Sequence, residues 1–310
     1  MRLKKPKFWG KKNSFLSIVL IPLTLLVRLY IFLKKKFSKE ISFKIPIICI
    51  GNLYIGGTGK TPLTVFIANK LSENGKKTVI VRKYYSNQND ECDYIRENFQ
   101  NLIVEKKRYF GVKKAYDQNY EYVLLDDGFQ DLSVKKKLNI ICFNQKQLVG
   151  NGMIIPSGPL REGLECLKEV QIVVINGKID KDFETKILSI NNKIEFFYSH
   201  YKPKNIDEFK DARLLAFAGI GNPSNFFDLL EENGLDVKRK IAFPDHYNFS
   251  KTEILEIINE ANKSGYQILT TEKDFLRIKK FNFKEIKFIK NELIINQFQK
   301  LINKILTLHD

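Results

Sequence analysis

The amino-acid sequence predicts an α/β protein with two domains, each built on a parallel sheet, and an apolar helix at the N-terminus. The chain has 310 residues, a length that suits about two domains. Short runs rich in Val and Ile alternate with helical stretches, as is typical of parallel strands buried on both faces. A polar stretch at 202–211 separates two such series. We predict an N-terminal helix over 1–38, a first domain over 39–205 and a second, smaller domain over 206–296, with the last helix, 297–310, assigned to the first domain.

The apolar runs predict the individual strands. In the first domain they lie at 45–51, 77–83, 122–127, 138–144 and 170–177. In the second domain strands alternate with helices, with strands at 213–221, 238–244 and 267–271 and helices at 222–233 and 250–264. Gly234 and Gly265 follow these two helices, at the position where glycine commonly ends a helix. The periodicity over 84–118 is weak, and we predict no element there.

The composition excludes several classes of protein. A hydrophobic content of 44% and an aromatic content of 12% exclude a disordered chain. The net charge is +17, and residues 1–40, with eleven bases and one acid, carry +10 of it. A nucleic-acid-binding protein would carry its basic excess on the folded body, so this distribution argues against nucleic acid as a partner. The four cysteines are far apart and form no C-x-x-C pair, which excludes a disulfide scaffold and a cysteine zinc site.

The N-terminal segment predicts contact with a membrane surface. The apolar run at 15–33 is long enough to span a bilayer, but it contains Arg28 and has lysines at both ends. At 100° per residue its polar side chains share one narrow stripe, formed by Asn13, Ser17, Thr24, Arg28 and Lys35. Such a helix suits the plane of a membrane surface, where lysines bind anionic headgroups. A buried core helix and a membrane-spanning helix remain as alternatives.

A glycine-rich loop between a strand and a helix predicts a phosphate-binding site. The strand ending near residue 51 runs into GNLYIGGTGKTP. Its binding residues are Gly56, Gly57, Thr58, Gly59, Lys60 and Thr61. Glycines let backbone N–H groups approach phosphate oxygens, and the following helix directs its positive dipole end at them. Lys60 can reach the β- and γ-phosphates, and the Thr61 hydroxyl can bind Mg²⁺. The first glycine of the usual P-loop pattern is replaced by Tyr54.

A second magnesium ligand is expected at the end of a neighbouring buried strand. The sequence YVLLDDGFQ places Asp126 and Asp127 directly after four apolar residues. Adjacent carboxylates at a strand end are costly unless a cation or a hydrogen-bond donor pairs with them. We therefore predict that Thr61, Asp126 and Asp127 bind Mg²⁺ and that the first domain resembles P-loop NTPases. A solvated strand end is the alternative for the two aspartates.

Further motifs occur in a specific order along the chain. They are a P-x-F-W start at Pro6, Phe8 and Trp9, the glycine-rich loop at 51–62, DDGFQ at 126–130, PSGPLRE at 156–162, AGIGNP at 218–223, FPDHY at 243–247 and TEKDFLR at 271–277. Together they resemble the tetraacyldisaccharide 4′-kinase family, the lipid A kinases of Gram-negative bacteria, over nearly the whole chain. GPLRE, GIGNP and PDH are far more specific than the glycine-rich loop alone.

The resemblance implies a function that the residues alone do not give. It implies that the γ-phosphate of ATP is transferred to the 4′-hydroxyl of an acylated glucosamine disaccharide 1-phosphate. It also implies two α/β/α domains with the active site in the cleft between them, and an N-terminal helix at the membrane, on the cytoplasmic face of the bacterial inner membrane. ATP and Mg²⁺ are the expected cofactors, and the lipid substrate and the membrane surface are the expected partners.

The family also suggests roles for single residues. It pairs His246 with the acid of a G-D-E motif, here matched in part by Asp90 after Asn89, and this dyad activates the acceptor hydroxyl. We expect Asp90 to take the proton and His246 to orient it. Arg82 and Arg161 are candidate substrate ligands, although Arg161 could instead form a salt bridge with Glu162 or another acid.

The chain departs from the family pattern in a few places. The family's R-G-Y-G sequence is replaced by RKYY at 82–85. Asp131 stands where a histidine usually follows DDGFQ. The nearest alternative is another membrane-peripheral P-loop NTPase. A guanine-reading N-K-x-D motif is absent from the sequence, which argues against a GTPase. A third possibility is a basic binding module without catalysis.

Overall fold

Two parallel sheets organise the chain. The computed structural model describes residues 6–85 and 89–309. Residues 1–5 of the predicted N-terminal segment, 86–88 of the stretch after the second strand, and residue 310 lie outside the described residues. The described chain divides into a larger unit, 6–85, 98–200 and 295–309, and a smaller unit, 89–97 and 201–294. The structure thus groups 6–38 with the larger unit and 89–97 with the smaller one, and the predicted domain boundaries stay predictions.

Twelve strands and ten α-helices form the described part of the chain. The strands are β1 (Ile47–Gly51), β2 (Thr78–Lys83), β3 (Leu102–Glu105), β4 (Tyr122–Asp126), β5 (Leu138–Asn144), β6 (Ile172–Asn176), β7 (Glu195–Pro203), β8 (Arg213–Ala218), β9 (Asp236–Ala242), β10 (Gln267–Thr271), β11 (Ile286–Ile289) and β12 (Asn291–Ile295). The helices are α1 (Phe15–Val19), α2 (Ile21–Phe37), α3 (Lys60–Glu73), α4 (Asn89–Asn98), α5 (Arg108–Asp117), α6 (Lys181–Leu188), α7 (Pro223–Glu232), α8 (Lys251–Ser264), α9 (Glu272–Ile278) and α10 (Phe298–Leu306).

The predicted parallel α/β architecture is confirmed. The first sheet has the order β12-β7-β6-β5-β1-β4-β2-β3, and β1 to β7 pair with one another in parallel. The second sheet has the order β11-β10-β8-β9 and is also parallel. Every predicted strand is present. Most of them are Val/Ile runs buried on both faces, whereas β9 is largely exposed.

The register brings three strand ends together at one edge of the first sheet. Ile50 of β1 and Arg82 of β2 both lie opposite Asp126, the last residue of β4. In parallel sheets the carboxyl ends of neighbouring strands share an edge, and ligands bind beyond that edge. The glycine-rich loop follows β1, so it also lies at this edge.

The N-terminal segment forms two helices where the sequence predicted one over 15–33. The helix α1 ends at Val19, and α2 begins at Ile21 with Pro22 in its first turn. Proline lacks an N–H and its ring would clash with the carbonyl group four residues before it, so a continuous helix breaks here. Among residues 6–85 and 89–309, no helix is both long and apolar enough to cross a lipid bilayer.

Ser17, Thr24 and Lys35 of the polar stripe face the protein, whereas Asn13 and Arg28 are exposed. Thr24 Oγ1 donates to Ser157 Oγ at 2.8 Å, and Asn151 Nδ2 donates to Ser17 Oγ at 3.0 Å. Lys35 Nζ lies 3.0 Å from Glu162 Oε2. The opposite, apolar side is exposed; its residues are Phe15, Leu16, Ile18, Val19, Leu23, Leu25, Leu26, Leu29, Tyr30, Phe32, Leu33 and Phe37. We refer to these twelve residues as the apolar face.

Candidate active site

The glycine-rich loop adopts a backbone conformation that depends on its glycines. Gly56 has φ +114° and Gly59, the N-cap residue of α3, has φ +89°, values that side-chain-bearing residues rarely adopt. Asn52 is buried, and its Nδ2 donates to Tyr54 O at 2.7 Å and to Thr58 Oγ1 at 3.0 Å. Asn52 thus fixes the loop, a role that the sequence analysis did not assign. The feature of the sequence that could have identified Asn52 is its position directly after a buried strand.

The predicted phosphate and magnesium ligands come together at this loop. Lys60 and Thr61 form the first turn of α3, whose N-terminus carries a partial positive charge. Thr61 Oγ1 donates to Asp126 Oδ2 at 3.2 Å, and Lys60 Nζ lies 3.9 Å from Asp127 Oδ2. All four side chains are buried or nearly so. The cluster therefore combines an anion-binding helix end and a cation with two carboxylates.

Asp126 is held by a buried network. It forms an ion pair with Arg82 Nη1, with both side chains at most 1% exposed. Thr64 Oγ1 donates to its other oxygen at 3.2 Å. Removing one partner of such a pair is costly, because the remaining charge stays in the protein interior. Arg82, which the sequence analysis offered as a substrate ligand, is placed on Asp126, and its proposed contact with substrate is untested.

Asp127 is held by Arg161. Arg161 Nη1 donates to Asp127 Oδ1 at 2.8 Å and lies 3.3 Å from Gln130 Oε1. Glu162, the neighbouring acid, pairs with Lys35 instead. The geometry thus shows Arg161 in a salt bridge with an acid other than Glu162, and a contact with substrate phosphate stays a prediction. Asp127 has φ +54°, in the left-handed region that aspartate tolerates better than most residues.

Arg108 is a buried residue of this site that the sequence analysis missed. Its Nη2 donates to the main-chain oxygens of Asp126, at 3.2 Å, and Asp127, at 2.6 Å. Its Nη1 lies 3.3 Å from Asp131 Oδ2. Burial acts to raise the pKa of Asp131, but hydrogen bonds from Ser133 and the charge of Arg108 lower it below its usual value. Arg108 begins α5, inside the stretch whose weak periodicity gave no element, so no pattern pointed to it.

The buried pair of Asp126 and Arg82 gives a stability prediction. Asp126→Asn is expected to lower the free energy of unfolding by about 3–5 kcal/mol, because it removes the carboxylate charge that faces a buried guanidinium. Urea denaturation followed by circular dichroism measures this change. Glu73→Gln is the matched control, since the exposed pair of Glu73 and Lys70 contributes about 0.2–1 kcal/mol. Equal losses of unfolding free energy in the two variants would show that the buried pair contributes no more to stability than the exposed pair.

The smaller unit contains the predicted dyad. Asp90 lies in the first turn of α4, and His246 lies in the loop after β9 with φ +54°. His246 Nδ1 is 2.9 Å from Asp90 Oδ2 and 3.1 Å from Asp90 Oδ1. His246 Nε2 lies 3.9 Å from Asp245 Oδ1 and 4.0 Å from Glu91 Oε1, beyond hydrogen-bond distance. The geometry therefore selects Asp90 as the partner of His246.

Asp93, one helical turn further on, takes no part in this cluster. Its carboxylate pairs with Arg96 at 3.0 Å on the exposed side of α4. Asp90 contacts another cation, because Arg277 Nη2 lies 2.5 Å from its Oδ2. Burial acts to raise the pKa of Asp90, but the hydrogen bond with His246 and the charge of Arg277 hold it well below its usual range. Asp90 is therefore a stable anion at neutral pH.

The oxygen ligands at the loop fit a magnesium ion. Thr61 Oγ1 and the carboxylates of Asp126 and Asp127 are hard oxygen donors. Mg²⁺ usually takes one or two carboxylates, keeps several waters and completes its shell with substrate phosphates. In residues 6–85 and 89–309, no group of three or more His, Cys, Asp and Glu side chains could hold a metal ion by itself. A site of this kind depends on the nucleotide.

Comparisons with known proteins agree over almost the whole chain. The family model LpxK, described as tetraacyldisaccharide-1-P 4′-kinase, matches residues 16–308. The tetraacyldisaccharide 4′-kinase of Pelagibacter ubique is 41% identical over 317 residues, which cover 100% of this chain and 99% of that relative. The enzyme of the same name from a Bradyrhizobium species is 30% identical and covers 89% of this chain and 86% of that relative.

A solved structure has the same fold. The crystal structure of LpxK from Aquifex aeolicus in complex with ATP superposes with a TM-score of 0.74 and 23% sequence identity. The superposition covers 96% of this chain and 100% of the Aquifex aeolicus chain. With a family model that matches residues 16–308 and a relative 41% identical over the full chain, this chain belongs to the tetraacyldisaccharide-1-P 4′-kinase family.

Proposed function

We propose that this protein transfers the γ-phosphate of ATP to the 4′-hydroxyl of tetraacyldisaccharide 1-phosphate, a step of lipid A biosynthesis. Membership of the family supports the activity. The observation that carries the proposal is the cluster of Lys60, Thr61 and Asp126 at the end of β1 and β4. In phosphoryl transfer the protein mostly positions groups and stabilises charge, and this cluster supplies both.

The loop binds the nucleotide in this proposal. The backbone N–H groups of the glycines and the N-terminus of α3 bind phosphate oxygens, and Lys60 neutralises charge on the transferred group. Thr61 and Asp126, with Asp127 beside them, would hold Mg²⁺, which would supply positive charge to the phosphates. Arg161 keeps the Asp127 carboxylate in place through its 2.8 Å contact.

The dyad removes the proton of the acceptor hydroxyl. A carboxylate with a strongly lowered pKa is a weak base, so Asp90 is poorly suited to take the proton itself. His246 uses Nδ1 toward Asp90, which leaves Nε2 to receive the proton while Asp90 stabilises the resulting imidazolium. The oxygen then bonds to the γ-phosphorus, the bond to the β-phosphate oxygen breaks, and ADP leaves. The sequence analysis expected Asp90 to take the proton and His246 to orient it; that expectation is untested, and the role proposed here for His246 is the alternative to it.

The test is a direct assay of the reaction. The protein is incubated with γ-labelled ATP, Mg²⁺ and tetraacyldisaccharide 1-phosphate in detergent, and the lipid is separated by thin-layer chromatography. We expect label in the lipid and none after chelation of Mg²⁺. ADP release that does not depend on the lipid would instead support another membrane-peripheral P-loop NTPase, and excess unlabelled GTP that abolishes labelling would point to a GTPase.

We further propose that the apolar face lies in the membrane that holds the lipid substrate, on its cytoplasmic side, where ATP is present. Ser17 and Thr24 of the polar stripe contact the loop at 151–157, and the apolar face on the other side of α1 and α2 is exposed. Large exposed apolar patches, such as the one formed by these twelve side chains, mark interaction sites. Exposed lysines flank it at Lys11, Lys12, Lys36 and Lys39, where they can bind anionic headgroups.

Charged substitutions on the apolar face are expected to release the protein from membranes. Leu26 and Phe32 are 64% and 60% exposed and make no contact that the fold requires. Burying each such side chain in lipid contributes about 1.5–3 kcal/mol, so the double variant Leu26→Glu/Phe32→Glu should bind anionic vesicles at least about 100-fold more weakly. Vesicle co-sedimentation measures this binding.

The matched control is Leu255→Glu, because Leu255 is 40% exposed on α8 in the smaller unit. It should bind vesicles like the wild type. Activity of the double variant on detergent-dispersed substrate should persist, since neither residue belongs to the loop or the dyad. Undiminished vesicle binding by the double variant would exclude the apolar face as the membrane contact.

A further inference from the structure

The side chain of Arg277 connects the dyad to the rest of the smaller unit. It projects from α9 and is buried, with its side chain 8% exposed. Its Nη2 lies 2.5 Å from Asp90 Oδ2, the same oxygen that His246 Nδ1 approaches at 2.9 Å. Its Nη1 donates to Gly219 O at 2.6 Å and to Asp274 Oδ1 at 2.5 Å. One guanidinium thus joins α4, α9 and the loop after β8.

Two motifs that the proposed function leaves without a role build the pocket for Arg277. In TEKDFLR, Thr271 is the N-cap residue of α9, and its Oγ1 accepts the Asp274 N–H at 3.1 Å. Asp274 is fully buried, and its Oδ2 accepts the Gly219 N–H at 2.8 Å and the Thr271 hydroxyl at 2.7 Å. Gly219 comes from AGIGNP. The motifs therefore hold Asp274 in place, and Asp274 holds Arg277.

The space around Gly219 is tight, which fixes the carbonyl group that Arg277 contacts. A Cβ at this residue would lie 3.2 Å from Asp274 Oδ1, 3.2 Å from Tyr247 Cβ and 3.3 Å from Phe249 Cζ. These distances are shorter than ordinary van der Waals contacts. A side chain at this position would require its neighbours to move by a few tenths of an ångström, so Gly219 suits the close approach of this loop to α9, where Gly219 O accepts from Arg277 Nη1.

Several charged groups surround Asp90, and Arg277 is the cation that contacts it at 2.5 Å. The charged groups near Asp90 are His246 and Asp245 after β9, Lys273, Asp274 and Arg277 on α9, and Glu91 on α4. Lys273 Nζ pairs with Glu91 at 3.7 Å, so Arg277 is the cation in direct contact with Asp90. Burial acts to lower the pKa of Arg277, but the charges of Asp274 and Asp90 raise it, so Arg277 stays charged.

We propose that Arg277 is a positioning residue, which fixes the Asp90 carboxylate so that Asp90 orients His246 toward the acceptor hydroxyl. The inference rests on the proposed function and deepens it. Arg277 does not touch the reacting atoms in this role. Arg277 does more than pair its charge with Asp90, because Nη1 also binds Asp274 and Gly219. These contacts fix where the Nη2 end of the guanidinium lies.

Kinetics of Arg277 variants test the proposal. Arg277→Ala should lower kcat by about 100-fold, the effect of misplacing a catalytic group by roughly 1 Å, with little change in the KM for ATP. Arg277→Lys keeps the charge and should retain activity within about tenfold of the wild type. Added guanidinium chloride should partly restore Arg277→Ala, because it can fill the vacated position.

The pH profile gives a readout that a purely structural role would not move. Without Arg277 the pKa of Asp90 rises, so Asp90 becomes protonated at a higher pH. Because His246 takes the proton only while Asp90 is ionised beside it, the acid limb of the kcat profile should shift to higher pH in Arg277→Ala. Arg96→Ala is the matched control, because Arg96 pairs with Asp93 on the same helix as Asp90 but is exposed. Its kcat and pH profile should equal those of the wild type.

A second measurement does not depend on activity. The chain has three histidines, so ¹⁵N-labelled histidine gives few NMR signals and His246→Gln assigns them. In Arg277→Ala the Nδ1 signal of His246 should shift and its proton should exchange faster with water, because Asp90 is no longer held. If the wild type fails to phosphorylate the lipid, the proposed function is wrong while this signal still tests the positioning.

Two results would overturn the inference. The first is a kcat of Arg277→Ala within twofold of the wild type. The second is a loss of kcat that neither lysine nor guanidinium restores, with the acid limb and the His246 signal unchanged. That pattern would assign Arg277 to the stability of the smaller unit alone.

Discussion

Replacing Lys60 with alanine is expected to lower turnover by a factor on the order of 10³ or more while the protein stays folded. Lys60 is the first residue of α3, and its ammonium group neutralises charge that develops on the transferred phosphoryl group. Removing a single preorganised charge-stabilising donor costs about 10²–10³ in other enzymes, and a full positive charge on the transferred group is expected to contribute more. Single-turnover kinetics with labelled ATP and tetraacyldisaccharide 1-phosphate measure the effect.

Lys70→Ala is the matched control for this prediction. Lys70 lies on the same helix, where it pairs with Glu73 at the surface. Its removal should leave turnover within about twofold. The Lys60 variant should unfold at a urea concentration close to that of the wild type, since Asp127 keeps its contact with Arg161. Turnover of Lys60→Ala within tenfold of the wild type would contradict the assignment of the P-loop.

The sheets were predictable because each central strand is a continuous apolar run. The strands β1, β4 and β5 are buried along their length, and nothing else in the sequence competes with that pattern. The strand β3 is different, because it lies at the edge of its sheet and only one of its four residues is buried. Neither this edge strand nor the short helices α4 and α5 leave a periodicity strong enough to be recognised in the sequence.

Without the family resemblance, which suggested the pair of Asp90 and His246, the site could be predicted only where it depends on adjacent residues. The residues of the glycine-rich loop are consecutive in the sequence, and so are Asp126 and Asp127. The chemistry of each group can therefore be read from the sequence. Arg108 reaches the ends of β4 from a helix with no recognisable pattern. Arg277 meets Asp90 across 187 positions of the chain. Such contacts depend on the packing of whole elements, which a single sequence does not reveal.

The dyad gives the second large effect. Asp90→Ala and His246→Ala are each expected to slow turnover by about 10²–10⁴-fold, the range for loss of general-base catalysis. The two side chains share a hydrogen bond of 2.9 Å and act on one proton. Groups that act as a unit are strongly non-additive, so the double variant should be little worse than the slower single variant. The affinity for ATP should change little, because the loop binds the nucleotide.

The structure makes this experiment interpretable. Loss of the Asp90 carboxylate does not strip Arg277 of its counter-ion, because Asp274 stays 2.5 Å from it, so the smaller unit should remain folded. Asp93→Ala is the control on the same helix, and its turnover should equal that of the wild type, since Asp93 pairs with Arg96 at the surface. If the effects of Asp90→Ala and His246→Ala multiply in the double variant, the two residues act independently. Joint action of the two residues as a dyad would then be excluded, even though they are in contact.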